Sequence, residues 1–127
     1  MLFADVKAWC KNTGYVDYIM PQIYFGFENE AMPFFEAAAE WSELCAESEV
    51  ELYLGMAAYK CGQTDENAGK GADEWMVNSD ILARQYVQSV KKGVFKGFCL
   101  FSYSFAFGKN GNEISKKEIK TLLNVIQ

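Results

Sequence analysis

Eight side chains that could bind or transform a ligand lie at or after the ends of apolar segments. These candidates are Gln22, Tyr24, Phe25, Glu28, Tyr59, Lys60, Trp75 and Tyr103. An amide such as Gln22 can donate and accept hydrogen bonds, which suits ligands with hydroxyl groups. Glu28 is the carboxylate best placed for acid–base chemistry, because it follows the first apolar segment after only a short loop. Residues of these types can exchange hydrogen bonds, stack on a ligand or exchange a proton.

Composition excludes several other kinds of site. The chain contains no histidine, and its four cysteines form no CxxC pair, so histidine general-base catalysis and a cysteine-rich zinc site are excluded. No glycine-rich nucleotide loop is present, and we expect no cofactor and no metal. The net charge of −5, with no basic cluster beyond two Lys-Lys pairs, argues against a nucleic-acid partner.

Hydropathy argues against a membrane partner. No stretch approaches the roughly 20 apolar residues that span a bilayer. The first residues also lack the apolar core of a secretion signal. This leaves the compartment of the protein open.

The chain alternates between amphipathic and β-type segments. Helices are predicted at residues 2–13, 33–47, 79–92 and from 115 onward, strands at 15–25, 50–59 and 96–105, and a long polar loop at 61–78. Strands that are apolar on both faces are typical of parallel sheets. Pro21 cannot donate to a sheet ladder, which favours an edge position or a bulge. The prediction is an α/β chain in the order αβαβαβα, with about three parallel strands and four helices.

Two helix ends carry recognisable capping signals. Ser115 and Glu118 have the spacing of a capping box at the start of the last helix. Asn78 or Ser79 could cap the preceding helix. Gly55, inside the second strand, predicts a close approach of another backbone segment.

The predicted sheet has two unpaired edges. Such edges are an aggregation hazard, and closure into a barrel removes them. A complete (β/α) barrel takes about 250 residues, so a chain of 127 suggests part of a barrel. Alternatively, copies of the chain could cover these edges by associating through them as a homo-oligomer. A flavodoxin-like domain is a weaker alternative, because it needs five strands and three are predicted.

Three segments give the chain a family resemblance. They read VDYIMPQIYFGF at 16–27, VELYLGMAAYK at 50–60 and GFCLFSYS at 97–104. In order and spacing they resemble the end of the catalytic barrel of the family-10-like glycosyl hydrolases, over nearly the entire chain. The resemblance implies that residues 1–127 are the C-terminal segment of a (β/α)8 TIM barrel. It also implies hydrolysis of poly- or oligosaccharides, in a family that is often secreted or at the cell surface in bacteria.

The resemblance also implies roles for the candidate residues. Glycoside hydrolysis generally requires two carboxylates, which a barrel places at the carboxyl ends of its strands. Only Glu28 fits that position here, so the other is expected on earlier strands. The remaining candidates would contact the sugar: Gln22 and Lys60 through hydroxyls, and Tyr24, Phe25, Tyr59, Tyr103 and Trp75 through their rings. Each has an ordinary structural alternative in the core or at the surface. The competing hypothesis is a non-catalytic barrel remnant that binds carbohydrate or self-associates.

Overall fold

The computed structural model describes residues 4–127, which contain one three-stranded parallel sheet. The strands are β1 (Tyr18–Ile19), β2 (Glu51–Ala57) and β3 (Gly97–Phe101), paired in the order β1-β2-β3. The α-helices are α1 (Val6–Lys11), α2 (Phe34–Cys45), α3 (Glu74–Val77), α4 (Ile81–Tyr86), α5 (Tyr103–Ala106) and α6 (Glu113–Ile126). A π-helical turn, Val87–Lys91, continues α4, and two 3₁₀ segments cover Ala58–Lys60 and Glu66–Gly71.

The α/β class and the three parallel strands are confirmed. The predicted number of four helices is too low, because the described residues contain six α-helices. Part of the first predicted helix, Leu2 and Phe3, lies outside the described residues. None of the helices within residues 4–127 is long and apolar enough to span a membrane.

Pro21 interrupts the pairing of β1 with β2. In the observed register, the donor to the carbonyl of Tyr53 would be Pro21, which has no N–H. Pairing resumes where Gly55 N–H donates to the Pro21 carbonyl at 3.0 Å and Ile23 N–H donates to that of Gly55 at 3.1 Å. A methyl group at Gly55 would lie 2.8 Å from the Pro21 oxygen, so the close approach predicted there is confirmed. Strand β1 does end the described sheet, but the nitrogen of Pro21 faces β2, so the edge position does not explain how the proline is accommodated.

The two faces of the sheet have different environments. Leu52, Leu54 and Met56 of β2 are buried in the main core, which they share with Phe34 of α2 and Leu82 of α4. On the opposite face, large aromatic rings are exposed, with Tyr18 at 59% and Phe101 at 55%. Helices of the described chain therefore cover one face, and an aromatic series lines the other.

The predicted loop 61–78 is largely folded against the segment that follows β1. It contains the second 3₁₀ segment and α3. Glu30 N–H donates to the Ala68 carbonyl and Lys70 N–H donates to Glu30 Oε2, both at 3.0 Å. A methyl group at Gly71 would lie 2.1 Å from the Glu28 carbonyl oxygen. Prediction of an irregular loop was wrong here because these contacts are between residues about 40 positions apart.

Helix α6 is capped differently from the prediction. Asn112, one residue before the helix, accepts from Ser115 N–H, and Ser115 Oγ accepts from Asn112 N–H, both at 2.8 Å. The helix thus begins earlier than Ser115, which becomes the third helical residue. Glu118, the expected partner in the capping box, is fully buried and serves helix α4 instead.

Glu118 caps α4 from across the interface with α6. Its carboxylate accepts from Ile81 N–H at 3.1 Å and from Leu82 N–H at 3.3 Å, replacing the cap expected from Asn78 or Ser79. Burial raises the pKa of Glu118 to about 7, although the two amides act to lower it. The α4–α6 interface therefore contains a carboxylate that titrates near neutral pH.

We expect Glu118 to make the protein less stable as pH rises. Its folded pKa lies above the ordinary value of 4.5, so its stabilising contribution is complete below pH 4.5 and is lost as pH rises through about 7. Glu118→Gln should remove a fall in unfolding free energy of roughly 2 to 3 kcal/mol between pH 5 and 8. Urea unfolding across this range measures it. The exposed Glu113→Gln, on the same helix, should leave the slope unchanged, and an unaltered slope in Glu118→Gln would contradict the prediction.

Candidate functional site

An aromatic cluster lies at the carboxyl ends of the three strands. The rings of Tyr24 and Tyr59 are 5.6 Å apart, and those of Tyr59 and Phe101 are 6.0 Å apart. Phe101 also stacks at 6.3 Å on Tyr24, and Phe105 lies 6.3 Å from Tyr59. Burial, with smaller contributions from Tyr59 and Cys99, raises the pKa of the Tyr24 hydroxyl. Three strand ends therefore contribute to one continuous, partly exposed aromatic surface.

Phe101 and Phe105, which lie beside Tyr59 in this cluster, were not among the candidates predicted from the sequence. Phe101 could have been identified from the alternation along β3, which places it on the same face of the sheet as Cys99. Tyr103 has the same parity, but β3 ends at Phe101. Tyr103 lies on α5, is 74% exposed, and pairs with Phe107 at 5.7 Å, so it is not part of the cluster.

Gln22 lies on the open face of the sheet, two residues before Tyr24 of the cluster. It is exposed and bridges to Gly55, which has no side chain to cover it. Gln22 and Tyr24 share this face, as their spacing predicts. Phe25, one residue further along, packs partly buried against the main core, and its contact with a ligand stays a prediction.

Trp75 does not reach over the open face. Its side chain is 1% exposed and belongs to the main core. The prediction of a ligand contact is therefore wrong, and the ring instead anchors α3. Its indole Nε1 is buried without a hydrogen-bond partner among the described residues.

Lys60 forms a buried ion pair rather than a free strand-end charge. Its Nζ donates to Asp65 Oδ2 at 2.8 Å and also to the carbonyl of Tyr24. The side chains are 17% and 7% exposed. Asp65 in turn accepts from Asn67 N–H at the start of the second 3₁₀ segment. Lys60 thus links the β1 end to the folded segment 61–78.

Two carboxylates lie close together after β1, in contrasting environments. Glu28 is exposed, as a ligand-facing group requires. Glu74 is only 3% exposed and accepts from Phe27 N–H at 2.8 Å and Glu28 N–H at 3.0 Å. Burial raises the pKa of Glu74, opposed by these two amides. The burial of Glu74 could not be predicted from its neighbours in the sequence, because both of its partners are distant in the chain.

Acidic and thiol groups do not otherwise assemble into a metal site. Within residues 4–127, no three His, Cys, Asp or Glu side chains lie close enough to hold a metal ion. The strand ends after β2 and β3 carry no carboxylate in Ala58–Lys60 or residues 102–104. The geometry thus offers an aromatic and amide surface, and Glu28 is exposed on the segment that continues from Tyr24.

Residues 1–76 match the family model described as Glycosyl hydrolase-like 10. The chain belongs to this family. It is 33% identical over 79 residues to the glycosyl hydrolase DigH of Escherichia coli K12, covering 62% of this chain and 17% of that protein. It is 34% identical over 84 residues to the glycosyl hydrolase YngK of Bacillus subtilis, covering 66% of this chain and 16% of that protein. No solved structure matches the chain.

The matched region includes only part of the aromatic cluster. It covers β1, β2, Tyr24, Tyr59 and Lys60, whereas β3 with Phe101 lies beyond residue 76. The family match is thus shorter than the resemblance read from the sequence. The chain spans about a sixth of the length of these two relatives.

We expect Lys60→Met to destabilise the protein by about 3 kcal/mol, because it leaves the buried Asp65 carboxylate and the Tyr24 carbonyl without their partner. The double variant Lys60→Met/Asp65→Asn should recover part of that loss. Lys70→Met removes an exposed ion pair with Glu30 and should change stability by less than about 0.5 kcal/mol. Urea unfolding of the four proteins measures this, and equal effects of the Lys60 and Lys70 substitutions would contradict it.

Proposed function

We propose that this chain is part of a glycoside hydrolase of poly- or oligosaccharides and supplies the substrate-binding side of its cleft. The observation that carries the proposal is the cluster of Tyr24, Tyr59 and Phe101 at the carboxyl ends of parallel strands. In enzymes built on parallel (β/α) units, active sites lie at that end. Membership of a glycosyl hydrolase-like family supports the same reaction class.

The proposal includes a partial (β/α) barrel. Each strand lies beside its successor in the chain, and all are parallel, which is the arrangement of neighbouring strands in such a barrel. The core-facing side chains of β2 pack under helices, while the aromatic series takes the face that would point into a barrel. Residues 1–127 would then form its C-terminal segment.

Within this proposal the side chains divide into two roles. Tyr24, Tyr59 and Phe101 stack on the C–H faces of sugar rings, and Gln22 exchanges hydrogen bonds with their hydroxyls. Glu28 is the carboxylate proposed for acid–base catalysis. Its required partner carboxylate would come from strands outside this chain. Lys60 contributes by its ion pair and its bond to Tyr24 rather than by direct contact with the sugar.

Titration of the protein with a panel of cell-wall and exopolysaccharide oligosaccharides, observed by NMR, tests the proposal. We expect a bound oligosaccharide to shift the resonances of Gln22, Tyr24 and Phe101. Phe101→Ala should weaken binding roughly tenfold, because an exposed aromatic anchor contributes more than about 1 kcal/mol. Tyr103→Ala removes an exposed ring outside the cluster and should leave affinity unchanged. Equal effects of the two substitutions, or no binding at all, would refute the proposal.

The second candidate is a non-catalytic remnant that self-associates. It is favoured by the exposed rings of Tyr18 and Phe101 beside the outer strands of the described sheet. Exposed flat edges favour pairing with another chain.

Light scattering measures the solution mass and so tests the second candidate. Self-association predicts a discrete dimer that Tyr18→Lys converts to monomer, because a charge at the edge opposes pairing. Lys7→Ala on α1 is a control away from the sheet. A monomeric wild-type chain would rule this candidate out.

A further inference from the structure

We propose that Glu74 is a positioning residue of the candidate site, which fixes the segment Tyr24–Glu28 in the geometry that binds sugar. This inference rests on the proposed function. It concerns a buried group that makes no contact with the substrate itself. Glu74 would act through the backbone that carries Tyr24 and Glu28.

The segment Tyr24–Glu28 leaves the sheet and cannot satisfy its polar groups with a strand ladder. The carbonyl groups of residues 24, 25 and 26 instead accept hydrogen bonds from three separate elements. The donors are Lys60 Nζ, Gln85 Nε2 at 3.0 Å and Phe34 N–H at 2.9 Å. Gln85 and Phe34 are both fully buried. The carbonyl side of the segment is thus held by one backbone and two side-chain donors.

Glu74 completes this arrangement on the amide side. Each of its two oxygens accepts one hydrogen bond, from Phe27 and Glu28 respectively. Charge-assisted bonds of this kind are stronger than those between neutral groups. A methyl group at Gly26 would lie 1.9 Å from Glu74 Oε2, so the absence of a side chain there is what allows the carboxylate to approach.

The surroundings hold Glu74 and the segment in a single arrangement. Trp75, the next residue, is buried in the core and anchors α3. The Arg84 guanidinium lies 4.6 Å from the ring centre of Phe27, which fixes that side chain over α4. Arg84 also favours the ionised form of Glu74, while the neighbouring Glu28 disfavours it.

These contacts give Glu74 a different role from that of an ordinary stabilising group. Tyr24 and Glu28 lie at the two ends of the fixed segment, and they are respectively a ring of the aromatic cluster and the proposed catalytic carboxylate. If the amides at 27 and 28 are released, the direction of the Glu28 side chain relative to the cluster changes without loss of the sheet. Ligand affinity should therefore depend on Glu74 more than global stability does.

The variant Glu74→Gln tests the proposal. Glu66→Gln is the control, because it removes the same charge from an exposed position within residues 61–78, the stretch that also contains Glu74. We expect hydrogen exchange of the Phe27 and Glu28 amides to accelerate at least tenfold, while the amides of Leu54 and Met56 in β2 keep their protection. Affinity for an oligosaccharide that binds the wild type should fall about tenfold. Glu66→Gln should alter neither quantity.

A measurement on the wild-type chain covers the case in which the variant does not fold. Acidification should shift the amide resonances of Phe27 and Glu28 together and weaken oligosaccharide binding over the same pH interval, as Glu74 takes up a proton. Shifts of the two amides without a change in affinity would overturn the positioning role. So would unchanged exchange at Phe27 and Glu28 in a folded Glu74→Gln variant.

The outcomes separate this inference from the proposed function. If no oligosaccharide binds the wild type, the proposed function fails and the site role of Glu74 fails with it, whatever the amides show. If oligosaccharide binds equally well to wild type and Glu74→Gln, only the positioning role is overturned. If binding and amide protection fall together, both are supported.

Discussion

The described structure depends on buried carboxylates that accept hydrogen bonds from backbone amides far away in the chain. A buried polar group without a partner is costly, so every segment that leaves regular structure needs one. Glu74 accepts from Phe27 and Glu28, and Glu118 accepts at the start of α4. Each links two elements separated by more than 35 residues. Burial disfavours the charged form of both carboxylates and raises their pKa values, while the amides that donate to them act to lower those values.

This dependence is explained by the shortness of several elements. Strand β1 has two residues in regular pairing, and α3 has four. A single helical turn has little stability of its own, because nucleation fixes several residues for each hydrogen bond gained. Such elements form only where tertiary contacts hold them, as the buried Trp75 side chain holds α3 in the main core. The fold near the candidate site is therefore set by tertiary contacts, whereas α2, α6 and β2 follow their local sequence patterns.

The same distinction decides what could be predicted from the sequence. Helical periodicity and β-branched runs indicated the long helices, the three strands and their parallel order. Alternation along the predicted strand 15–25 placed Gln22 and Tyr24 on one face. The burial of Trp75, Glu74 and Glu118 could not be predicted, because each depends on a partner distant in the chain. Tyr103 has the same parity as Phe101 but lies outside the aromatic cluster, because the facing pattern of β3 applies only within the strand, which ends at Phe101.

The arrangement also separates binding from chemistry in the proposed hydrolase. Ring stacking and hydroxyl recognition need a rigid surface, and the strand ends supply one in which backbone groups at 24–28 are held by donors and acceptors from four elements. Acid–base catalysis needs two carboxylates whose distance is controlled within a few ångströms. Because residues 24–28 are held as one segment, the position of the exposed Glu28 carboxylate is tied to that of the Tyr24 ring on the binding surface. The distance to a partner carboxylate would then depend on how the remaining strands dock against β1 and β3, and not on movement within this segment.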